Sequence, residues 1–237
     1  MTSVMEEVDE LSQSERAYRV LRREILHGDV MPGERLRAAD LQDRYDLGLT
    51  PIREALMRLT SESLVEGEAN RGSRARDVSI AELRDLMATR REIERMCLAA
   101  SIARGDAQWE AEIVASLHLL TRTALPASDG DRDTAAQWEA LHRRFHTALI
   151  AACGSPWQLR FWNMLADHSE RYRKVRLLRH REKNAEVRDA HAEHAAIADA
   201  VLKRDADRAI ALMDAHLTAT ENSVARLLEA GMREAGK

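Results

Sequence analysis

Only two cysteines, Cys97 and Cys153, occur in the 237 residues. Two thiols supply neither a disulfide framework nor the paired spacing of a metal knuckle, and both fall in helical apolar patterns where buried, reduced thiols are expected. No apolar run approaches the roughly 18 residues that a membrane-spanning helix needs, and the opening segment MTSVMEEVDE is acidic where a secretory signal is basic. These absences predict a soluble, cytoplasmic protein with no membrane partner. An excess of positive charge is missing as well: 36 basic against 40 acidic side chains leave a formal charge of −4, which excludes a broadly basic nucleic-acid binder. What the chain does have is length for two domains and a 45% hydrophobic content that argues against disorder.

The segment from Pro32 to Asp77 reads as a winged helix-turn-helix, a device that lays one helix in the DNA major groove. Residues 38–45, AADLQDRY, form a short helix with Leu41 and Tyr45 on one face at i,i+4. After the turn Asp46-Leu47-Gly48-Leu49, Thr50 is the expected N-cap and Pro51 the first residue of a second helix, with Ile52, Leu56 and Leu59 facing inward. This is the expected recognition helix. Residues 64–68 and 73–76 then pair as two short strands about Asn70-Arg71-Gly72, forming the wing. No acid lies between Ala69 and Arg76, so Arg71, Arg74 and Arg76 read as unopposed guanidiniums suited to phosphate or the minor groove. From Ser12 to Arg76 there are twelve arginines, no lysine and eleven acids, so DNA affinity must come from where the arginines sit.

The expected organisation is a disordered N-terminus at 1–11, a DNA-binding domain at 12–77, an all-α domain at 79–231, and a tail at 232–237. Capping boxes at Ser12/Glu15 and Ser79/Glu82 open the first helix of each domain. Beyond residue 79 the pattern is helical throughout, with helices ending near 105, 124, 152, 178, 203 and 231. The fold class is therefore mainly α: a winged helix-turn-helix followed by a six-helix bundle.

His142 and His146 share one helix face at i,i+4, a spacing from which two imidazole nitrogens can reach one ion at about 2.0–2.1 Å. His194 and His216 lie in mid-helix among apolar residues on the last two helices, and in an antiparallel bundle their faces can converge on the first pair. The alternative is four core histidines with protein partners. Nitrogen donors favour Zn, Ni, Co or Cu over Mg or Ca.

These residues resemble the GntR family of bacterial transcription factors, in the subgroup with the all-α FCD ligand-binding bundle. The resemblance rests on Leu21-Arg22-Arg23-Glu24-Ile25 with Gly28, on Pro32-Gly33-Glu34-Arg35-Leu36, on Thr50 to Leu56, and on Asn70-Arg71-Gly72. In the second half it rests on Leu86 to Arg90 with Glu94, on Phe145-His146, on Glu193-His194, and on Asp205 through His216. It implies a homodimer on a palindromic DNA operator, released by a small carboxylate bound near a divalent metal, Zn or Ni here. Carried over by position, the ligands are His142, His146, His194 and His216, with His142 standing where the family usually has Asp. The Ser-Arg expected before the recognition helix is replaced by Gly48-Leu49, so the implied DNA contacts are Arg37, Thr50, Arg53, Asn70, Arg71 and Gly72. Segments such as Cys153 to Trp157 and Ser169 to Arg173 are similar to the carbon-starvation and glutarate-responsive branch, which implies a dicarboxylate held by Arg90, with Arg173 as a second candidate.

A metal-sensing regulator and a metal-dependent enzyme are the competing readings. Metal-bound water can act as a nucleophile, but the nearest general base is Glu193, and adjacent helix residues point in different directions. No enzyme is expected.

Overall fold

The computed structural model describes residues 12–68, 72–124, 132–179 and 189–235, in two compact units, Met1–Val78 and Ser79–Lys237. The expected N-terminus at 1–11 and residues 236–237 of the tail expected at 232–237 lie outside the described residues, whereas residues 232–235 continue the last helix.

In the first unit, α1 (Gln13–His27) starts where the Ser12 hydroxyl accepts from the Glu15 N–H at 3.2 Å, and it stops at Gly28, whose φ of 76° needs no Cβ. Strand β1 (Arg35–Leu36) precedes α2 (Ala38–Tyr45), α3 (Leu49–Ser61), β2 (Val65–Glu68) and β3 (Gly72–Ala75). Leu21, Ile52, Leu59 and Leu64 are fully buried between the helices and the sheet, each worth roughly 1.5–3 kcal/mol of apolar burial.

Two expectations are corrected here. Helix α3 begins at Leu49, with Gly48 in extended conformation as N-cap and no side-chain cap bond, so Thr50 is not the cap. Pro51 fits inside the first turn because the N–H it lacks would have no intrahelical acceptor there. The wing also has a third strand: β1 pairs antiparallel with β3, with Arg35 opposite Arg74 and Leu36 opposite Ser73, giving the order β1-β3-β2. A two-residue strand has no alternation from which to recognise it.

The second unit contains α4 (Ile80–Arg104), α5 (Ala107–Thr121), α6 (Arg132–Ile150), a 3-10 turn (Ala151–Cys153), α7 (Pro156–Arg179), α8 (Ala190–Leu202) and α9 (Ala206–Ala235). Caps set the starts: Ser79 accepts from Glu82 N–H at 3.1 Å and Asp106 from Trp109 N–H at 2.9 Å. Gly105 ends α4 in an extended conformation rather than a left-handed one, and glycine is needed because a Cβ there would overlap the Trp109 ring. The start expected for α8, near 184, lies outside the described residues. Along α4 the buried stripe Leu83, Met87, Arg90, Glu94, Cys97, Leu98, Ser101 and Ile102 has helical spacing, yet two charged side chains occupy its middle. No helix among the described residues is long and apolar enough to cross a membrane.

Candidate functional site

In the first unit, Arg53 projects from the outer face of α3, exposed and without a partner among the described residues. Its neighbour Arg58 differs: its Nη1 donates to Glu15 at 2.7 Å and its guanidinium lies 3.7 Å from the Tyr18 ring centroid, so it is committed to the fold. Thr50 and Arg37 are exposed, the latter at the start of α2. Gly72 opens β3 with φ 89°, while Asn70 and Arg71 lie outside the described residues. One wing expectation is corrected: neither Arg74 nor Arg76 is unopposed, because Arg74 stands directly opposite Glu66 in the strand register and the Nε of Arg76 lies 3.6 Å from that same Glu66 on the paired strand β2. The sequence shows an acid-free run, but antiparallel pairing brings the acids of the other strand beside it.

In the second unit, α6 supplies His142 and His146, α8 supplies His194 and α9 supplies His216. All four are buried, and one ligand atom from each lies within 4.8 Å of all the others. Ring centroids are 4.4 Å apart for His142 and His146, 4.7 Å for His194 and His216, and 5.2 Å for His146 and His216. Ring movements of about an ångström would close such a set around one ion with bonds of about 2.0–2.1 Å. Neither ring nitrogen of His146 nor Nδ1 of His142 has a hydrogen-bond partner among the described residues. Buried polar atoms without partners are costly, about 1–3 kcal/mol each, and an ion satisfies them. Burial first, then the neighbouring imidazoles and arginines, pushes the pKa of both His142 and His146 well below the ordinary histidine value. They are therefore neutral, the form that ligates. Trp138 stacks on His142 at 4.7 Å, and its buried Nε1 also lacks a partner among the described residues.

The two arginines differ in what they have left to offer. Arg173, on α7, gives Nε to Glu139 Oε1 at 3.4 Å and Nη2 to Oε2 at 3.0 Å, a bidentate pair in which both side chains are buried. Burial lowers the pKa of Arg173, but Glu139 and then Glu170 outweigh it and raise the value overall. Arg90, on α4, gives only Nε, to Glu94 Oε2 at 3.4 Å. Neither Nη of Arg90 has a hydrogen-bond partner among the described residues, although the side chain is 2% exposed. Burial brings the pKa of Arg90 down to about 10 against the pull of Glu94, leaving it a cation. Glu94 also accepts from Trp162 Nε1 at 2.6 Å, and burial pushes its carboxyl above the usual range. Sequence reasoning did not single out Glu139, Trp138 or Trp162. Glu139 and Trp138 are legible in hindsight, since they lie three and four residues before His142 on the same helix.

The chain matches the FCD domain family over residues 85–219 and the gntR family of bacterial regulatory proteins over residues 13–74. It belongs to the GntR family and carries an FCD domain. This GntR regulator is 39% identical over 200 residues to the HTH-type transcriptional repressor GlaR of Escherichia coli K12, covering 84% of this chain and 90% of that one. It is 36% identical over 218 residues to the HTH-type regulator BphR of Paraburkholderia xenovorans LB400, covering 92% and 86%. Among solved structures, E. coli McbR/YncC shares its fold at TM-score 0.73 and 20% identity, over 93% of this chain and 99% of that one. A GntR regulator from Rhodococcus sp. RHA1 does so at TM-score 0.70 and 22% identity, over 90% and 98%. The FCD match spans all four histidines and both arginines, and the gntR match spans α3 and the wing as far as Arg74. The protein is a DNA-binding transcriptional regulator, and the enzyme reading is set aside.

Proposed function

We propose that this GntR regulator is a repressor that binds a palindromic operator as a homodimer and leaves it when a small carboxylate enters the FCD domain. The carboxylate binds at Arg90, beside a divalent ion, Zn or Ni, held by His142, His146, His194 and His216. One observation carries the reading: a buried cation, Arg90, with neither Nη hydrogen-bonded among the described residues, shares a core with the neutral imidazoles of His142 and His146, where Nδ1 of the first and both nitrogens of the second lack hydrogen-bond partners among the described residues. Four neutral ligands leave an ion's double charge uncompensated, and Arg90 adds one charge against one from Glu94. Since buried net charge is strongly unfavourable, an anionic ligand offsets the set, and a dianion, such as a dicarboxylate, does so more fully than a monoanion where the partly exposed Glu193 beside His216 supplies only part of the balance. A guanidinium edge with two donors fits one carboxylate bidentately. The 39%-identical relative's name supports repression as the output.

DNA contact falls to Arg53 and Thr50 on α3, Arg37, and the wing residues Asn70, Arg71 and Gly72. Arg53→Ala is expected to weaken specific operator binding by about 1–3 kcal/mol, and Arg71→Ala to weaken it with a smaller salt slope. Titrations unchanged in both variants would refute these contacts.

A single recognition helix covers only a half-site, and two-fold symmetry supplies the other. Light scattering at micromolar concentration is expected to give twice the 26.8 kDa chain mass. A monomer that persists on operator DNA would exclude the dimer.

A further inference from the structure

The carboxylate of Glu193, on α8, meets His216, on α9, with Oε2 2.8 Å from Nδ1. The imidazole is buried, its side chain 6% exposed, while that of Glu193 is 31% exposed and reaches solvent. An imidazole that ligates a metal must be neutral and so carries one N–H, which a carboxylate at this distance accepts; in a ligating His216 the proton therefore sits on Nδ1. Nε2 is then the nitrogen with a lone pair to give. His194 follows Glu193 directly in α8, so one short segment supplies a cluster imidazole and the carboxylate that orients another from a different helix.

We infer that Glu193 is the positioning residue of the metal centre: it fixes His216 in the Nδ1–H tautomer, presents Nε2 to the ion, and lends negative charge to a site whose four ligands are neutral. The inference rests on the proposal that these histidines hold a metal. Hydrogen-bonded carboxylates of this kind hold a ligating ring in orientation and raise its basicity, and their loss typically costs about 10- to 100-fold in metal affinity.

Zn(II) titration of the untagged, metal-stripped full chain against a competing chelator tests it, together with the absorption spectrum of the Co(II) form. Glu193→Ala is expected to bind Zn(II) about 10- to 100-fold more weakly and to shift the Co(II) bands, with the melting temperature of the metal-free protein nearly unchanged. Glu193→Gln keeps an acceptor oxygen and loses only the charge, so its affinity falls between the two. Should the alanine variant melt markedly lower without metal, Glu193→Gln carries the test and must still bind more weakly than the native protein. Native Zn(II) affinity and an unchanged Co(II) spectrum in a folded variant would overturn the role of Glu193 while leaving the metal centre standing. Absence of Zn(II) uptake by the native chain would overturn both.

Discussion

His146→Ala is expected to lose metal affinity by more than the roughly 100-fold that removal of an outer partner causes, because it deletes a ligand rather than its support. It is also expected to abolish effector-driven release from operator DNA while the metal-free variant still binds that DNA. His146 sits at the centre of the set, with ring centroids 4.4, 5.2 and 5.3 Å from His142, His216 and His194, and both of its nitrogens lack partners among the described residues. For a residue that serves only packing, two orphaned nitrogens in the core would be a standing penalty, and alanine would relieve it. Effector coupling in such regulators is about 1–3 kcal/mol, so the native protein should change operator affinity at least about five-fold on effector addition and the variant should not. His118→Ala is the control, since that residue is exposed on α5 and outside the cluster. Elemental analysis that finds no divalent metal in the untagged native protein, with normal release by His146→Ala, would reduce the four histidines to core residues.

Arg173→Gln is expected to lower unfolding free energy by about 3–5 kcal/mol, read as a shifted denaturant midpoint, because it removes the cation of a buried bidentate ion pair. The pair is bidentate and dry, with side chains 6% and 1% exposed. Arg90→Gln should cost less. Glu94 keeps the Trp162 N–H at 2.6 Å, and its carboxyl, already displaced upward by burial, can become neutral when its cation is gone. The functional consequence runs the other way: Arg90→Gln is expected to lose the effector response, measured as operator release across a panel of C4–C6 dicarboxylates, while folding normally. A stable Arg173→Gln protein that no longer responds, beside a responsive Arg90→Gln protein, would exchange the two assignments.

The wing shows why part of the charge pairing in the first unit escaped the sequence. Its two hairpin strands were legible from the short segments flanking the Asn70-Arg71-Gly72 turn, but β1 is two residues long and Arg76 meets Glu66 through strand pairing. Register across a hairpin decides which charges are opposed, and a linear count of acids cannot represent it. Likewise Thr50 looked like a cap because its hydroxyl precedes Pro51, whereas the backbone enters the helix one residue earlier, from Gly48.

In the second unit, sequence spacing alone put His142 and His146 on one face of α6, and composition left no disulfide and no long apolar run, because periodicity and residue chemistry are local properties. The mainly helical architecture and the turn glycines are of the same kind. The meeting of His194 and His216 with that pair, the 2.8 Å contact from Glu193 to His216, and the difference between Arg173, closed by Glu139, and Arg90, with neither Nη hydrogen-bonded among the described residues, were settled only by tertiary structure. Arg90 and Arg173 look alike in the chain, and what separates them is which carboxylate the packing of α4, α6 and α7 leaves beside each guanidinium.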